Sequence, residues 1–381
     1  MKKTVKTLFV LLLTVALLLS MFLSSGIAFA KESNTLESFT TGFEERTQKK
    51  INIDKDLMKV MAASIKNFDR RAVYIKYYSD LSTLQNTFDI FEYEYPELMQ
   101  YTSNGVYGGK TLQWGNLLAA TSFKYCLSKS EYRRGLAIAR SAKKEVQDAT
   151  QNMSDFEKEK YIYDYITKHT AYNNENSSDS TIYGVFVLHK ANCVGLAKAF
   201  KYLANACGLS CVCVGGYTSK DNDAMGHTWN NIKIENQWYS VDLTTEVSAR
   251  EGDNKKAPEE YDSKYLDFNN DGSENEKNFK VDNSYIYAPI TISDDKEYYH
   301  VNGSYINNPD NASIYAIIAK QLSESGKAMV LCSSEDVANK VAGNVNLIQD
   351  KNYDLRYETT PVYYATRRGT LIQFSLEDNI N

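Results

Sequence analysis

The chain has 381 residues, 43% of them hydrophobic and 24% charged, with a formal net charge of −5. That balance argues against a nucleic-acid partner, which calls for a basic face. Six cysteines in so long and core-rich a sequence do not read as a disulfide framework.

The first thirty residues read as a signal peptide: Lys2, Lys3 and Lys6, an apolar run from Leu8 to Leu23, then Ala28-Phe29-Ala30 as a small-x-small cleavage site. The expectation is cleavage after Ala30 and a secreted or extracellular protein, associated with the cell wall. No stable membrane span should remain after cleavage, because no later stretch reaches the necessary length. The segment carries three lysines and no acids, so its removal takes the net charge from −5 to −8. About 350 residues would remain, enough for two or three packed units.

Residues 31–150 are expected to be mostly helical. Leu57, Met61, Ile65 and Phe68 recur at helical spacing. The stretch "YPELMQYT" interrupts that pattern and leads into an aromatic, glycine-rich segment with room for two short strands. Glu131–Asp148 reads as a long amphipathic helix. Ser154-Asp155-Phe156-Glu157 fits a capping box, and its helix would run to about His169. A polar loop, "NNENSSDS", follows.

The best-defined helix is 192–208, with Asn192 as N-cap, Gly208 just past the end, and Leu196, Phe200, Leu203 and Cys207 as its apolar stripe. "CVCVGGY" reads as a buried strand. "HTWNNIKI" and "WYSVDLTT" read as two strands joined at Glu235-Asn236, where Asn suits a positive φ. Residues 247–285 are polar and weakly periodic. Within them "DFNNDG" offers alternate oxygen ligands, but Asn278 stands where a calcium loop needs Glu, so residues 267–278 read as a solvated loop. From about Thr291 a smaller unit is expected: a helix near 313–325, a strand at 328–332 and a Tyr-rich, strand-like end.

Cys193 is the candidate nucleophile. It opens a helix, where unpaired amides and the macrodipole favour a thiolate; Gly195 leaves the sulfur open to approach. The other five cysteines read as core residues, since no histidine pair at zinc spacing accompanies Cys207, Cys211 and Cys213. The expected metal content is none, and no cofactor is called for. His227 is the candidate base. With a two-residue turn, paired strand positions sum to 471, so His227 faces Thr244, Trp229 faces Asp242, and His227 and Asp242 lie diagonally on one face. A three-residue loop would put Asp242 on the opposite face. In that register Asp242 can bind one imidazole nitrogen and leave the other for Cys193. The Cys193 amide is a natural oxyanion donor. Tyr183 is a candidate second donor with core packing as its competing role, Trp229 is a candidate cleft wall, and Asn230 reads as an ordinary strand residue.

"ANCVGLAKAFKYLANACGLSCVCVGGY" followed by "GHTWNNIKIENQWYSVDLTT" resembles the transglutaminase-like superfamily: Cys at a helix start with Gly two residues on, a His-x-Trp-Asn strand, and a Trp-Tyr-x-Val-Asp-x-Thr strand. The resemblance covers about residues 154–246, and "TIYGVFVLHKANC" is similar to the family's approach to its cysteine. The region around "YPELMQY" looks like the segment that precedes this domain in secreted bacterial members related to cytokinesis-associated proteins. The resemblance implies an α+β, papain-like core, a Cys-bearing helix on an antiparallel sheet, and a Cys193-His227-Asp242 triad. It departs from the family at Thr245, where Trp is common, and in lacking a counterpart to the upstream oxyanion Trp of tissue-type enzymes. The implied organisation is a signal peptide (1–30), a helical region (31–150), a catalytic domain (151–290) and a small C-terminal α/β domain (291–381). The implied activity is that of a cysteine protease, amidase or acyltransferase working through a thioester on peptide or glutamine-type amides, with cell-wall peptides or surface proteins as partners. The competing expectation is a catalytically silent wall-associated scaffold with the same fold.

Overall fold

The computed structural model describes residues 52–102, 106–112, 115–218, 225–244, 247, 279–281, 298–301, 303–344, 362–366 and 369–375. The expected signal peptide and the 267–278 segment lie outside them. The described architecture is α+β.

The N-terminal region holds α1 (Lys55–Lys66), β1 (Arg71–Tyr78), α2 (Leu81–Glu94), β2 (Val106–Leu112) and β3 (Gly115–Ser122). Asp54 caps α1 by accepting the amides of Asp56 and Leu57. The two short strands expected after "YPELMQYT" are present as β2 and β3. They belong to an antiparallel sheet of order β1-β3-β2, so this region is less helical than the spacing suggested. Leu57, Met58, Met61, Ile65, Ile90, Phe91 and Leu118 form its core.

The next helix, α3 (Lys129–Thr150), opens on a capping box between Ser128 and Glu131. Through Tyr132, Ala139, Ala142 and Val146, α3 shares a hydrophobic core with the elements that follow it. α4 (Asp155–Thr167) opens on the expected Ser154–Glu157 capping box. Short parallel strands β4 (Ala171–Tyr172) and β5 (Lys190–Ala191) flank a 3₁₀ turn (Ser177–Ser180) and a π-turn (Gly184–Leu188). Then come α5 (Cys193–Ala206), β6 (Ser210–Thr218), β7 (Met225–Ile234), β8 (Gln237–Val241) and β9 (Phe279–Val281). The four strands form an antiparallel sheet of order β8-β7-β6-β9. α5 buries Leu196, Ala199, Phe200 and Leu203 against Cys211, Ile232, Ile234 and Val241. Gly208 ends it at φ +86°, a left-handed position that glycine occupies without steric cost.

Two buried ion pairs join the N-terminal region to α5. Lys201 Nζ donates to Glu94 Oε1 at 2.6 Å and to the Tyr93 carbonyl at 2.7 Å; Lys198 Nζ donates to Glu92 Oε1 at 3.1 Å and to the Ser180 carbonyl at 3.3 Å. Both lysines are buried, so loss of either acid would strand a desolvated cation, at a typical cost of about 3–5 kcal/mol.

The C-terminal unit comprises α6 (Tyr298–Val301), β10 (Tyr305–Ile306), α7 (Ala312–Ser325), β11 (Lys327–Cys332), α8 (Glu335–Gly343), β12 (Val362–Thr366) and β13 (Gly369–Ser375). Its sheet has order β10-β11-β13-β12, with β10 parallel to β11. Among the described residues, no helix is long and apolar enough to cross a membrane.

One buried acid should limit stability at alkaline pH. Glu159 on α4 is fully buried, and neither carboxyl oxygen has a hydrogen-bond partner among the described residues. Burial, reinforced by the charge of Asp164 and opposed by Lys160, pushes its carboxyl up to about 8 from an ordinary value of 4.5. The folded state thus holds a proton that the unfolded chain releases. The associated stability is complete below about pH 4.5 and is lost as pH rises through about 8. Glu159→Gln is expected to remove this slope and to raise stability at pH 9 by about 5 kcal/mol. Thermal melts of both proteins from pH 5 to 9 should converge at the acid end and diverge at the alkaline end.

Candidate active site

α5 begins at Cys193 because Asn192 caps it. The Asn192 side chain accepts the amides of Val194 and Gly195 at 3.1 and 3.2 Å, leaving the Cys193 amide outside the cap. Asn192 is itself held: its Nδ2 donates to Asn174 Oδ1 at 2.8 Å and Ser180 Oγ at 2.7 Å. The loop 173–181 thus does more than connect. The buried Asp179 side chain accepts Asn173 Nδ2 at 2.7 Å and the amides of Glu175 and Asn176, while its carbonyl takes the Asn192 amide at 3.0 Å. Periodicity gave no sign of this brace, because its hydrogen bonds run between irregular backbone and polar side chains. Its only sequence trace is the density of Asn, Asp and Ser before the cysteine.

The reason for Gly195 differs from the expected one. A Cβ there would lie 2.2 Å from the Asp179 carbonyl oxygen and 3.1 Å from the Ala191 Cβ. Gly195 lets the helix start sit flush against the brace, rather than opening a path to the sulfur.

The β7–β8 turn has two residues, Glu235 and Asn236, at φ 47° and 72°. Ile234 pairs with Gln237 and Asn230 with Val241, the register that sums to 471. Asp242 follows directly, on the face of His227. His227 Nε2 and Asp242 Oδ2 are 2.7 Å apart, both side chains buried. Asp242 Oδ1 accepts the Thr244 amide at 2.9 Å, which fixes the carboxylate plane. Cys193 acts electrostatically on the same imidazole, and with Nε2 on the aspartate the ring nitrogen left over is Nδ1. Burial alone would lower the imidazole's proton affinity. The hydrogen bonds and charges of Asp242 and Cys193 outweigh it and raise the pKa from 6.5 to about 10. The ring therefore holds its proton through neutral pH.

Trp229 stacks beside His227, ring centroids 6.0 Å apart and planes at 28°. It is buried in an apolar group with Val212, Val214 and Trp238, so it backs the imidazole. Tyr183 lies elsewhere. It is buried against α3, where a Cβ on Gly135 would come within 2.5 Å of its ring, and its hydroxyl accepts from Arg134 at 3.3 Å. The oxyanion role considered for Tyr183 is therefore withdrawn in favour of core packing. The remaining cysteines are all free thiols. Burial pushes Cys126 and Cys213 up to about 11 and Cys332 up to about 12, and raises Cys207. Cys126 and Cys207 are half-buried rather than fully enclosed. Among the described residues, no group of three His, Cys, Asp or Glu side chains converges as metal ligands would.

Residues 140–243, from mid-α3 to just past Asp242, match the family model of the transglutaminase-like superfamily. That segment belongs to the transglutaminase-like superfamily. The transglutaminase-like core is thus the Cys-bearing helix packed on its antiparallel sheet, within an α+β chain. A curated relative, kyphoscoliosis peptidase of Mus musculus, is 28% identical over 104 residues; the match covers 24% of this chain and only 16% of that protein's length. Among solved structures, a TGase aligns at 15% identity, over 36% of this chain and 44% of its own, with TM-score 0.26. The periplasmic domain of TgpA from Pseudomonas aeruginosa aligns at 14% identity, over 38% of this chain and 65% of its own, also with TM-score 0.26.

Proposed function

We propose that this chain is an exported cysteine hydrolase or acyltransferase that opens peptide or glutamine-type amide bonds through a thioester on Cys193. The observation that carries the proposal is the 2.7 Å contact between His227 Nε2 and Asp242 Oδ2, with Cys193 at the first turn of α5 acting on the same imidazole.

The Cys193 thiolate attacks the amide carbonyl carbon, and the oxygen takes up the negative charge. The Cys193 amide, at the N-terminus of α5, serves in this reading as a donor to that oxyanion. His227 then gives its proton to the departing amine, the C–N bond breaks, and an acyl thioester remains. Neutral His227 next takes a proton from water or an incoming amine, whose oxygen or nitrogen attacks the thioester. Collapse expels the thiolate and releases an acid or a new amide, restoring the imidazolium–thiolate pair. Asp242 keeps the tautomer and supports the cation throughout. Hydrolysis is the favoured outcome, since no feature marks an amine-acceptor site. Cell-wall peptides and surface proteins are the substrates that export would supply.

The test is the pH dependence of Cys193 alkylation by iodoacetamide. The expected result is a rate already high at about pH 6, where an unassisted thiol reacts slowly, and lost in His227→Ala. A profile matching a free thiol would leave a silent scaffold as the better reading. Incubating the active protein with wall peptides and glutamine-containing proteins, with Cys193→Ala as control, would then name the substrate.

A further inference from the structure

We infer that Asn230 is a positioning residue that locks the nucleophile's helix to the base's strand, an inference that rests on the enzymatic reading above. Asn230 lies three residues after His227 on β7 and is fully buried. Its Nδ2 donates to the Ala197 carbonyl at 2.9 Å, one helical turn beyond Cys193 on α5. The same amide lies 3.3 Å from the Val212 carbonyl and 3.7 Å from Cys213 Sγ on β6. One NH₂ group thereby ties α5, β6 and β7 together.

The orientation of the amide is forced. The atoms it faces are two carbonyl oxygens and a sulfur, so only the nitrogen end can sit there. Its Oδ1 then has no hydrogen-bond partner among the described residues. A buried oxygen in that state is unfavourable, and a hydrocarbon side chain of similar shape would not carry that cost. Asn230 is therefore a poor choice for stability alone. What it supplies is direction. Apolar contacts tolerate small rotations and slides of a helix on a sheet, whereas a short N–H···O bond fixes one setting. Successive residues on α5 are separated by about 100° around the axis. A modest rotation of the helix would therefore swing the Cys193 sulfur away from His227, while most of the apolar stripe stayed covered.

The experiment uses the full chain with Asn230→Leu, which keeps the branched shape and removes both the donor and the unpartnered oxygen, and Asn230→Ser, which keeps a hydroxyl too short to reach Ala197. The expected result is that Asn230→Leu melts within a few degrees of the parent. Its Cys193 alkylation rate at pH 6 falls by about 10- to 100-fold, with the pH profile moving toward that of a free thiol. With a substrate in hand, kcat should fall and KM should change little. Asn230→Ser should show the same kinetic loss, and serves if the leucine variant does not fold. A folded variant of either kind with the parental pH profile would overturn this inference while leaving the enzymatic reading intact. A parent protein whose Cys193 already titrates as a free thiol would overturn both.

Discussion

Asp242→Asn is expected to leave the fold standing and to cut turnover on the order of a thousandfold. The fold should survive because Asn keeps an oxygen for the Thr244 amide, which now binds Asp242 Oδ1 at 2.9 Å. The chemistry should not, because the anion 2.7 Å from His227 Nε2 is gone. Burial opposes the imidazolium, and with the Asp242 hydrogen bond and charge removed its pKa must drop from about 10. The sign of the stability effect follows. A histidine raised above its unfolded value of 6.5 contributes stability that is complete below that pH and fades as pH climbs through about 10. In Asp242→Asn the fading should begin at lower pH and its total should shrink. Melting temperatures from pH 5 to 10, read beside the alkylation profile of Cys193, would check both. A variant with the parental profile in each would remove Asp242 from the proposed triad.

Gly195→Ala should be the most disruptive single methyl near the site. On an exposed helix, alanine in place of glycine is worth about 1 kcal/mol of added stability. Here the new carbon would sit 2.2 Å from the Asp179 carbonyl oxygen, a backbone atom that cannot rotate aside. Relief requires moving the loop 173–181 or lifting the start of α5, and each breaks part of the bonding around Asn192. The steric penalty should win, with a net loss of about 3 kcal/mol. Whatever fraction folds should carry a displaced Cys193 and alkylate more slowly at pH 6. A variant that melts with the parent and reacts at its rate would show that the brace yields easily.

The parts of this molecule that could be read in advance are those written in repeating patterns. The α5 boundaries followed from Asn192, the stripe of Leu196, Phe200 and Leu203, and Gly208. The β7–β8 register followed from a turn whose two residues must both accept positive φ, and Asp242 took its place from that register. β1 was missed because a register irregularity between Val73 and Lys76 breaks its alternation, and because, at the sheet edge, it leaves Ile75 and Tyr77 exposed. The pattern of α3 shows which face is apolar but not what covers it, so its membership of the central core emerged only in three dimensions. Asn230 read as a strand residue because the carbonyl it seeks lies 33 positions away on a helix. The brace at 173–181 is non-periodic throughout.

The ion pairs from Lys198 and Lys201 carry a practical consequence. A fragment trimmed to the family-matched stretch 140–243 would lack Glu92 and Glu94, together with the Tyr93 carbonyl that receives Lys201. Two ammonium groups would then face the gap on the very helix that begins with Cys193. The span recognised by sequence similarity is thus smaller than the unit able to stand alone, and a workable minimal protein has to reach back at least to the helix ending at Glu94.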